Sequence, residues 1–143
     1  MRKLLFLLFI SLISIGAFAT HNRAGEITYR CVGGYSYEVT VTTYTKISSP
    51  ADRCELVVYF GDGDSATLPR INGPLSPNCS PFRDGDDIPG TDIRKNIYVT
   101  PVPHPYPGPG EYDIYMCDPN RNSGIINIPN SVNQPFYIES LLV

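Results

Sequence analysis

The clearest structural signal in the chain is the stretch YSYEVTVTTY at residues 35–44. Its odd positions from Tyr35 to Val41 are aromatic or β-branched, and its even positions from Ser36 to Thr42 are polar. Because successive side chains of a strand point to opposite faces, this stretch predicts a strand with one face in a core and one face in water.

The sequence on either side of this strand repeats the same kind of signal. Gly25–Cys31 alternates and leads through Gly33 and Gly34 into the strand, which is typical of a β-hairpin. Further strands or short extended segments are expected at Glu55–Phe60, Ser65–Ile71, Ile93–Thr100, Glu111–Cys117, Ile125–Ile128 and Gln134–Val143. Leu56, Val58 and Phe60 share one face of their strand and Val57 and Tyr59 the other, so both faces are expected to be partly covered. In the strand at Glu111–Cys117, the residues expected to point inward are Tyr112, Ile114 and Met116.

Turn-rich segments separate these strands. Residues 72–92 and 101–110 are rich in proline and are expected to be loops, and Pro69 restricts Ser65–Ile71 to the edge of a sheet. About seven short strands with this spacing predict an all-β fold, an immunoglobulin-like β-sandwich.

The first nineteen residues have the layout of a secretory signal peptide. Arg2 and Lys3 precede a short apolar run, and residues 17–19 form a small-residue cleavage site. We therefore expect a signal peptide at residues 1–19 and one domain at residues 20–143, secreted or on the cell surface and without a membrane span. The mature chain has nine basic and fourteen acidic residues, which argues against a nucleic-acid partner.

Four cysteines lie in the exported part, so two disulfides are expected. In a sandwich of this type, the strands at Glu55–Phe60 and Glu111–Cys117 are antiparallel neighbours. The start of one then lies near the end of the other, which predicts a bridge between Cys54 and Cys117. The remaining pair is Cys31 with Cys79. The alternative is that Cys54 and Cys117 are reduced and act as small buried residues.

A glycine-rich turn follows the strand at Glu55–Phe60. Gly61 and Gly63 can adopt positive φ, and the side chain of Asp62 can hydrogen-bond to its own backbone. His104 and Tyr106 precede the strand at Glu111–Cys117, where polar rings can tie a corner to backbone carbonyls, as the tyrosine corner does in related sandwiches.

These two segments resemble the signature of the PKD domain, an immunoglobulin-like sandwich. The turn YFGDG at residues 59–63 resembles one half of it, and HPY at residues 104–106 with GEY at residues 110–112 resembles the other, so the resemblance adds Tyr112 to the corner. Longer segments, THNRAGEITY at 20–29, RINGP at 70–74, DPNRN at 118–122 and NIPNSV at 127–132, resemble the N-terminal module of large gliding motility-associated proteins. That resemblance implies type IX secretion and an adhesin-like surface protein.

Few residues suggest catalysis. The chain has no G-x-S-x-G motif and only two histidines, so we do not expect an enzyme. Carboxylates cluster in two loops of the sequence. Asp84, Asp86 and Asp87 form a candidate calcium site, with Asp62 or Asp64 as further ligands. No other cofactor is expected. Ser65, in an Asp-Ser-Ala triplet, is a candidate glycosylation site. Tyrosines that offer a candidate glycan-stacking surface, against the alternative of core packing, are Tyr29, Tyr35, Tyr37 and Tyr44.

Three functional hypotheses follow. The first is a non-enzymatic module that leads an adhesin or gliding motility-associated protein and contacts other domains, surface proteins or glycans. The second is a small secreted protein that binds calcium or a glycan. The third is a subunit that self-assembles through an edge strand, either Ser65–Ile71 or the C-terminal strand.

Overall fold

The structure is a computed structural model that describes residues 22–48, 53–77, 79–119 and 121–143. The predicted signal peptide at residues 1–19 lies outside the described residues. Within these ranges the strands are β1 (Asn22–Gly33), β2 (Ser36–Lys46), β3 (Glu55–Tyr59), β4 (Ser65–Pro69), β5 (Asp86–Asp87), β6 (Ile93–Val99), β7 (His104–Pro105), β8 (Tyr112–Asp118) and β9 (Phe136–Leu142). A short 3-10 helix lies at Ser131–Asn133. No helix in the described ranges has the length and apolar character needed to cross a bilayer.

The strands form two antiparallel sheets. The first sheet has the order β1-β2-β6-β5, with the short β7 also pairing with β2, and the second has the order β4-β3-β8-β9. The predicted all-β sandwich is therefore confirmed. The predicted antiparallel pairing of β3 with β8 is also confirmed, because Tyr59 lies opposite Tyr115.

A single hydrophobic core fills the space between the sheets, and alternating side chains of β2, β3 and β8 supply about half of its buried members. Its buried members are Ile27, Val39, Val41, Leu56, Val58, Phe60, Leu68, Tyr98, Tyr106, Ile114, Met116, Phe136 and Leu142. Tyr112 packs against this core from a partly buried position. Full burial of a large apolar side chain contributes about 1.5–3 kcal/mol, so these positions dominate the stability of the sandwich.

Two segments differ from the expected elements. The predicted extended segment at Ile125–Ile128 is a turn, in which the Ile128 amide donates to the Ile125 carbonyl at 3.1 Å and Ile126 is fully exposed. Gly124 at φ 75° turns the chain before this segment and prevents a straight strand. The loop at residues 72–92 includes the two-residue β5, which pairs with β6 and ends the first sheet.

The predicted disulfide pairing is wrong. Cys54 is bonded to Cys79, with their Cα atoms 5.4 Å apart, and both Cys31 and Cys117 are free and exposed. A disulfide within the chain indicates a non-cytosolic, oxidising environment, in agreement with that part of the prediction.

Strand alternation explains why Cys117 does not reach Cys54. Met116 is buried in the core, so the next side chain, Cys117, points to the outer face of the sheet. The pairing of Tyr59 with Tyr115 places Cys117 level with Val57, three residues along β3 from Cys54. The loop after β4 brings Cys79 back over the start of β3 instead, where the Arg70 amide also donates to the Cys54 carbonyl at 3.0 Å.

Candidate functional site at the sheet corner

The glycine-rich turn after β3 is held by the close approach of β8. Gly61 has φ 82°, and a Cβ atom at this position would lie 2.6 Å from the backbone nitrogen of Asp113. Glycine is therefore required here both for the backbone conformation and for space. The turn is closed by the Phe60 amide, which donates to the Asp64 carbonyl at 3.0 Å.

Asp62 is at the tip of this turn and bonds in two directions. Its Oδ1 accepts from the Asp64 amide at 3.0 Å, which is the predicted side-chain-to-backbone bond of an Asx turn. Its Oδ2 lies 2.7 Å from Nε2 of His104, which comes from β7 in the other sheet. Each side chain of this pair is only 9% exposed.

His104 is fixed by its neighbours on three sides. Pairing of β7 with β2 sets the position of its backbone opposite Tyr37. Its ring lies parallel to that of Phe60, with the ring centres 3.9 Å apart and the planes at 5°. The ring of Tyr106 meets it edge-on at 4.7 Å. The imidazole therefore has one defined orientation, with Nε2 directed at Asp62.

The two corner tyrosines extend this connection. The Tyr106 hydroxyl donates to the Phe60 carbonyl at 3.2 Å, and the Tyr106 amide donates to the Tyr35 carbonyl at 2.9 Å. The Tyr112 hydroxyl donates to the Gly108 carbonyl at 3.0 Å, and the rings of Tyr106 and Tyr112 lie 4.3 Å apart.

The structure thus brings together the residues singled out at the turn and at the corner. All except Gly63 have a contact or bond within this group of elements; Gly63, at φ 103°, has open space beside it. We call this group the sheet corner: Gly61, Asp62, Gly63, His104, Tyr106 and Tyr112.

Electrostatics at the sheet corner favour an ionised Asp62. Burial alone would raise the pKa of this carboxyl, but hydrogen bonds from His104 and the Asp64 amide, together with electrostatic attraction to His104, lower the pKa below its ordinary value. Burial raises the pKa of Tyr106 well above its usual range, and the nearby Asp62 carboxylate adds to this effect. Nε2 of His104 therefore donates its proton to a carboxylate, and the Tyr106 hydroxyl stays protonated.

The sheet corner also holds the described residues best placed for a metal ion. One ligand atom from each of Asp62, Asp64 and His104 lies within 4.8 Å of the others. Two carboxylate oxygens and an imidazole nitrogen form a donor set that suits zinc or a similar divalent ion. However, Nε2 of His104 and Oδ2 of Asp62 already bond to each other, so a metal would have to break the bond that orients both side chains.

The three aspartates of the candidate calcium site are not gathered into one group. Oδ2 of Asp86 accepts from the Asn72 side chain at 2.6 Å, and Oδ1 of Asp87 accepts from Nε of Arg94 at 2.7 Å. In the short β5 the side chains of successive residues diverge, which separates these carboxylates. Asp84 uses its amide to donate to the Pro74 carbonyl at 2.9 Å.

The remaining candidate residues are dispersed. Ser65 is exposed at the start of the edge strand β4, where a modifying enzyme has access. The rings of Tyr29 and Tyr37 meet edge to face at 6.0 Å, so they do not form a flat platform for a sugar ring. Tyr35 is half exposed, and Tyr44 is partly buried on β2.

Sequence reasoning missed the role of Arg70, which is 1% exposed. Its Nε donates to the Arg83 carbonyl at 2.6 Å, its Nη1 to Oδ1 of Asn96 at 2.7 Å, and its guanidinium lies 6.0 Å from the ring centre of Tyr98. Nη2 also lies 3.5 Å from the sulfur of Cys79. Arg70 begins the RINGP segment, so the resemblance marked this residue without showing what it does.

A second buried polar group lies near the start of β1. Nδ2 of Asn22 donates to Oδ2 of Asp118 at 3.0 Å, and Nη2 of Arg53 donates to Oδ1 of the same carboxylate at 2.9 Å. Arg121, two residues beyond Pro119, donates from Nε to the Pro135 carbonyl at 2.9 Å. The segments that carry the family resemblance therefore supply bonds that connect separate elements of the sandwich.

Neither free thiol has the surroundings of a catalytic cysteine. The Cys31 sulfur lies 3.5 Å from the Gly34 carbonyl. His104, the one histidine in the described ranges, is bonded to Asp62, and its ring packs against Phe60 and Tyr106. A cysteine nucleophile needs a base within hydrogen-bonding reach, and the described residues do not place one beside Cys31 or Cys117.

Comparison with known proteins does not assign a family. No family model matches the chain, and no solved structure matches it significantly. Over 65 residues, the chain is 40% identical to an acetoacetyl-CoA synthase from Streptomyces sp. (strain CL190). The matched region covers 46% of this chain and only 18% of the length of the synthase, so the match gives this chain neither a family nor an activity.

Proposed function

We propose that this chain is a non-enzymatic β-sandwich module that is exported and displayed at the cell surface, as the leading domain of an adhesin or gliding motility-associated protein. In this role it acts as a rigid structural unit that presents its loops and edge strands to other domains or surface proteins. The observation that supports this most directly is the state of the sheet corner, where His104 and Asp62 are bonded to each other.

Burial leaves the corner residues poorly suited to catalysis. A general base must have a ring nitrogen within reach of a substrate. Here Nε2 of His104 is 2.7 Å from Asp62, one face of the imidazole is covered by Phe60, Tyr106 meets the ring edge-on, and the His104 side chain is only 9% exposed, so little of the ring is open to a substrate. The same contacts connect β7 of one sheet to the turn after β3 of the other, so they favour a structural role.

The cysteine chemistry supports export. A bond between Cys54 and Cys79 is expected to persist in an oxidising compartment and to be reduced in most cytosols. The signal-peptide layout of residues 1–19 supplies the route, and the resemblance to gliding motility-associated modules supports the surface destination and type IX secretion.

The proposal is tested by locating the protein on cells. The full chain with a C-terminal epitope tag is expressed in its native host, and intact cells are treated with a protease. We expect the tag to be removed from intact cells and the N-terminus of the purified protein to be Thr20. A matched variant lacking residues 2–19 should keep its tag. Retention of Met1 together with a protected tag would contradict the proposal.

A further inference from the structure

The long edge strand β1 has an open side. β1 ends the order β1-β2-β6-β5, and apart from a bridge between Asn22 and Arg121 at its start, the described residues place no strand on its far side. The other sheet has short β4 at one edge, which ends at Pro69, and β9 at the other edge, where the Leu141 carbonyl accepts from the Tyr29 hydroxyl of β1 at 2.8 Å. Proline and shortness protect an edge against pairing, and β1 has neither protection between Ala24 and Cys31.

The hydrogen-bond pattern of β2 identifies which groups of β1 face this open side. Val39 directs both backbone groups away from β1, since its amide donates to Oγ1 of Thr100 at 3.1 Å and its carbonyl accepts from the Thr100 amide at 3.0 Å. In an antiparallel ladder this direction alternates along the strand. The even residues of β2, such as Thr40, therefore bond to their partners on β1, such as Thr28.

It follows that the odd residues of β1 direct their amides and carbonyls to the open edge. They are Gly25, Ile27, Tyr29 and Cys31. β1 pairs with β2 in one continuous register from Ala24 to Cys31, with irregularities only before and after this run. The open edge is therefore a regular template on which a further strand can form a ladder.

We propose that this edge pairs antiparallel with β1 of a second copy of the chain, with Thr28 on the twofold axis. Charge complementarity between the two copies favours this pairing. A twofold axis between antiparallel strands must pass through a pair of identical residues, because neighbouring pairs alternate between bonded and non-bonded types. With Thr28 opposite Thr28, Glu26 of each copy lies opposite Arg30 of the other.

Neighbouring registers lose this complementarity. An axis at Glu26 or at Arg30 places two like charges opposite each other, and an axis at Ile27 or Tyr29 gives neither charge an oppositely charged partner. In the proposed register the charged pairs are of the non-bonded type, in which side chains approach most closely. Ile27 then lies opposite Tyr29 of the second copy, and these are the residues whose backbone groups are free.

Both charges are available for this pairing. Glu26 is exposed, and the Arg30 side chain is 69% exposed although it bonds to Glu38 on β2 at 3.0 Å. A guanidinium has five N–H donors, so Arg30 can bond Glu38 on one side and Glu26 of the second copy on the other. The paired run is short, so we expect a weak, concentration-dependent dimer rather than a permanent one.

The test is a charge swap followed by analytical ultracentrifugation of the exported protein at up to about 200 µM, a range that detects weak association. We expect the native protein to dimerise. Glu26→Arg, which leaves the ion pair of Arg30 with Glu38 intact, and Arg30→Glu should each weaken the dimer by about tenfold or more. An equimolar mixture of the two variants restores opposite charges at both positions and should dimerise again. Glu55→Arg, at an exposed position of β3 in the other sheet, is the matched control and should dimerise like the native protein.

Amide hydrogen exchange locates the interface independently. On dilution, the Ile27 and Tyr29 amides should lose protection, while the Thr28 amide, bonded to β2, should stay protected. A protein that remains monomeric over the whole range, or a dimer that both charge variants leave unchanged, would overturn the proposal. Because self-association is measured in solution, its failure is distinct from a failure of export or surface display.

Discussion

Asp62, in the turn after β3 of one sheet, and His104, in β7 of the other, are 42 residues apart in the sequence, yet Oδ2 of Asp62 is 2.7 Å from Nε2 of His104. This bond connects the turn after β3 to β7, and the stacking of His104 on Phe60 joins it to the core. Because each side chain of the pair is nearly buried, removal of either partner leaves the other without its main polar contact.

Acid should weaken the sandwich through Asp62. The pKa of this carboxyl is lower in the folded protein than in the unfolded chain, so its contribution to stability is complete above the unfolded value of 3.8 and is lost as the pH falls through the folded value. Urea unfolding at a series of pH values from about 2 to 6 measures this loss. In Asp62→Asn the decline should be shallower, and equal declines in the two proteins would contradict the assignment.

The two glycines of the turn should respond differently to the same substitution. Gly61→Ala introduces a Cβ atom 2.6 Å from the Asp113 backbone at φ 82°, whereas Gly63→Ala at φ 103° meets open space. We expect Gly63→Ala to lower the free energy of unfolding by about 1–2 kcal/mol through backbone strain alone. Gly61→Ala should lower the free energy of unfolding by at least about 1 kcal/mol more than Gly63→Ala does, because the new methyl group also clashes with β8. Chemical denaturation measures both values. Equal losses of unfolding free energy in the two variants would show that β8 does not pack closely against the turn at Gly61.

Peptide mapping without reduction should recover Cys54 linked to Cys79, and Cys31 and Cys117 should react with a thiol reagent in the folded protein. The two linked positions are 25 residues apart, so the chain-entropy model assigns the bridge about 3.5 kcal/mol. Cys79→Ser should lower stability by roughly that amount under oxidising conditions. Cys117→Ser is the control and should have little effect; a Cys54–Cys117 peptide would refute the pairing.

Arg70 should not be replaceable by lysine. The planar guanidinium group of Arg70 donates to the Arg83 carbonyl and to Oδ1 of Asn96. The ammonium group of lysine cannot reproduce this geometry in a buried site. We expect Arg70→Lys to reduce the free energy of unfolding by about 2–4 kcal/mol. Arg83→Lys, at an exposed arginine that donates to the Gly73 carbonyl, is the matched control and should cost under about 1 kcal/mol. Similar small effects for both would show that the buried contacts of Arg70 are dispensable.

Much of the fold could be predicted because strand alternation is a local property. The period of two sorts the side chains of β3 and β8 onto two faces without knowledge of the other strands, and in β8 the burial of Ile114 and Met116 confirms the face predicted to point inward. The corner residues could also be listed in advance, since a glycine turn and a His-x-Tyr segment are visible in the sequence. The bond between Asp62 and His104 could not, because it depends on how two sheets stack.

The prediction of the disulfide pairing was wrong for a related reason. Cys79 reaches Cys54 only because the loop after β4 folds back over the start of β3, and that path depends on long-range bonds such as those of the buried Arg70. A local signal was nevertheless present: the same alternation that places Met116 inward places Cys117 outward. The prediction of an extended segment at Ile125–Ile128 was wrong because β-branched residues favour strands only where they have a surface to pack against.

A double-mutant cycle between Asp62 and His104 tests most directly whether the corner is a structural connection. His104→Phe keeps an aromatic ring on Phe60 and removes the hydrogen bond, and Asp62→Ala removes its partner. We expect the two costs in unfolding free energy to be non-additive, with a coupling of about 1–3 kcal/mol, while Asp62→Ala and Glu55→Ala should be additive within about 0.5 kcal/mol. Additive effects for Asp62 and His104 would contradict the account.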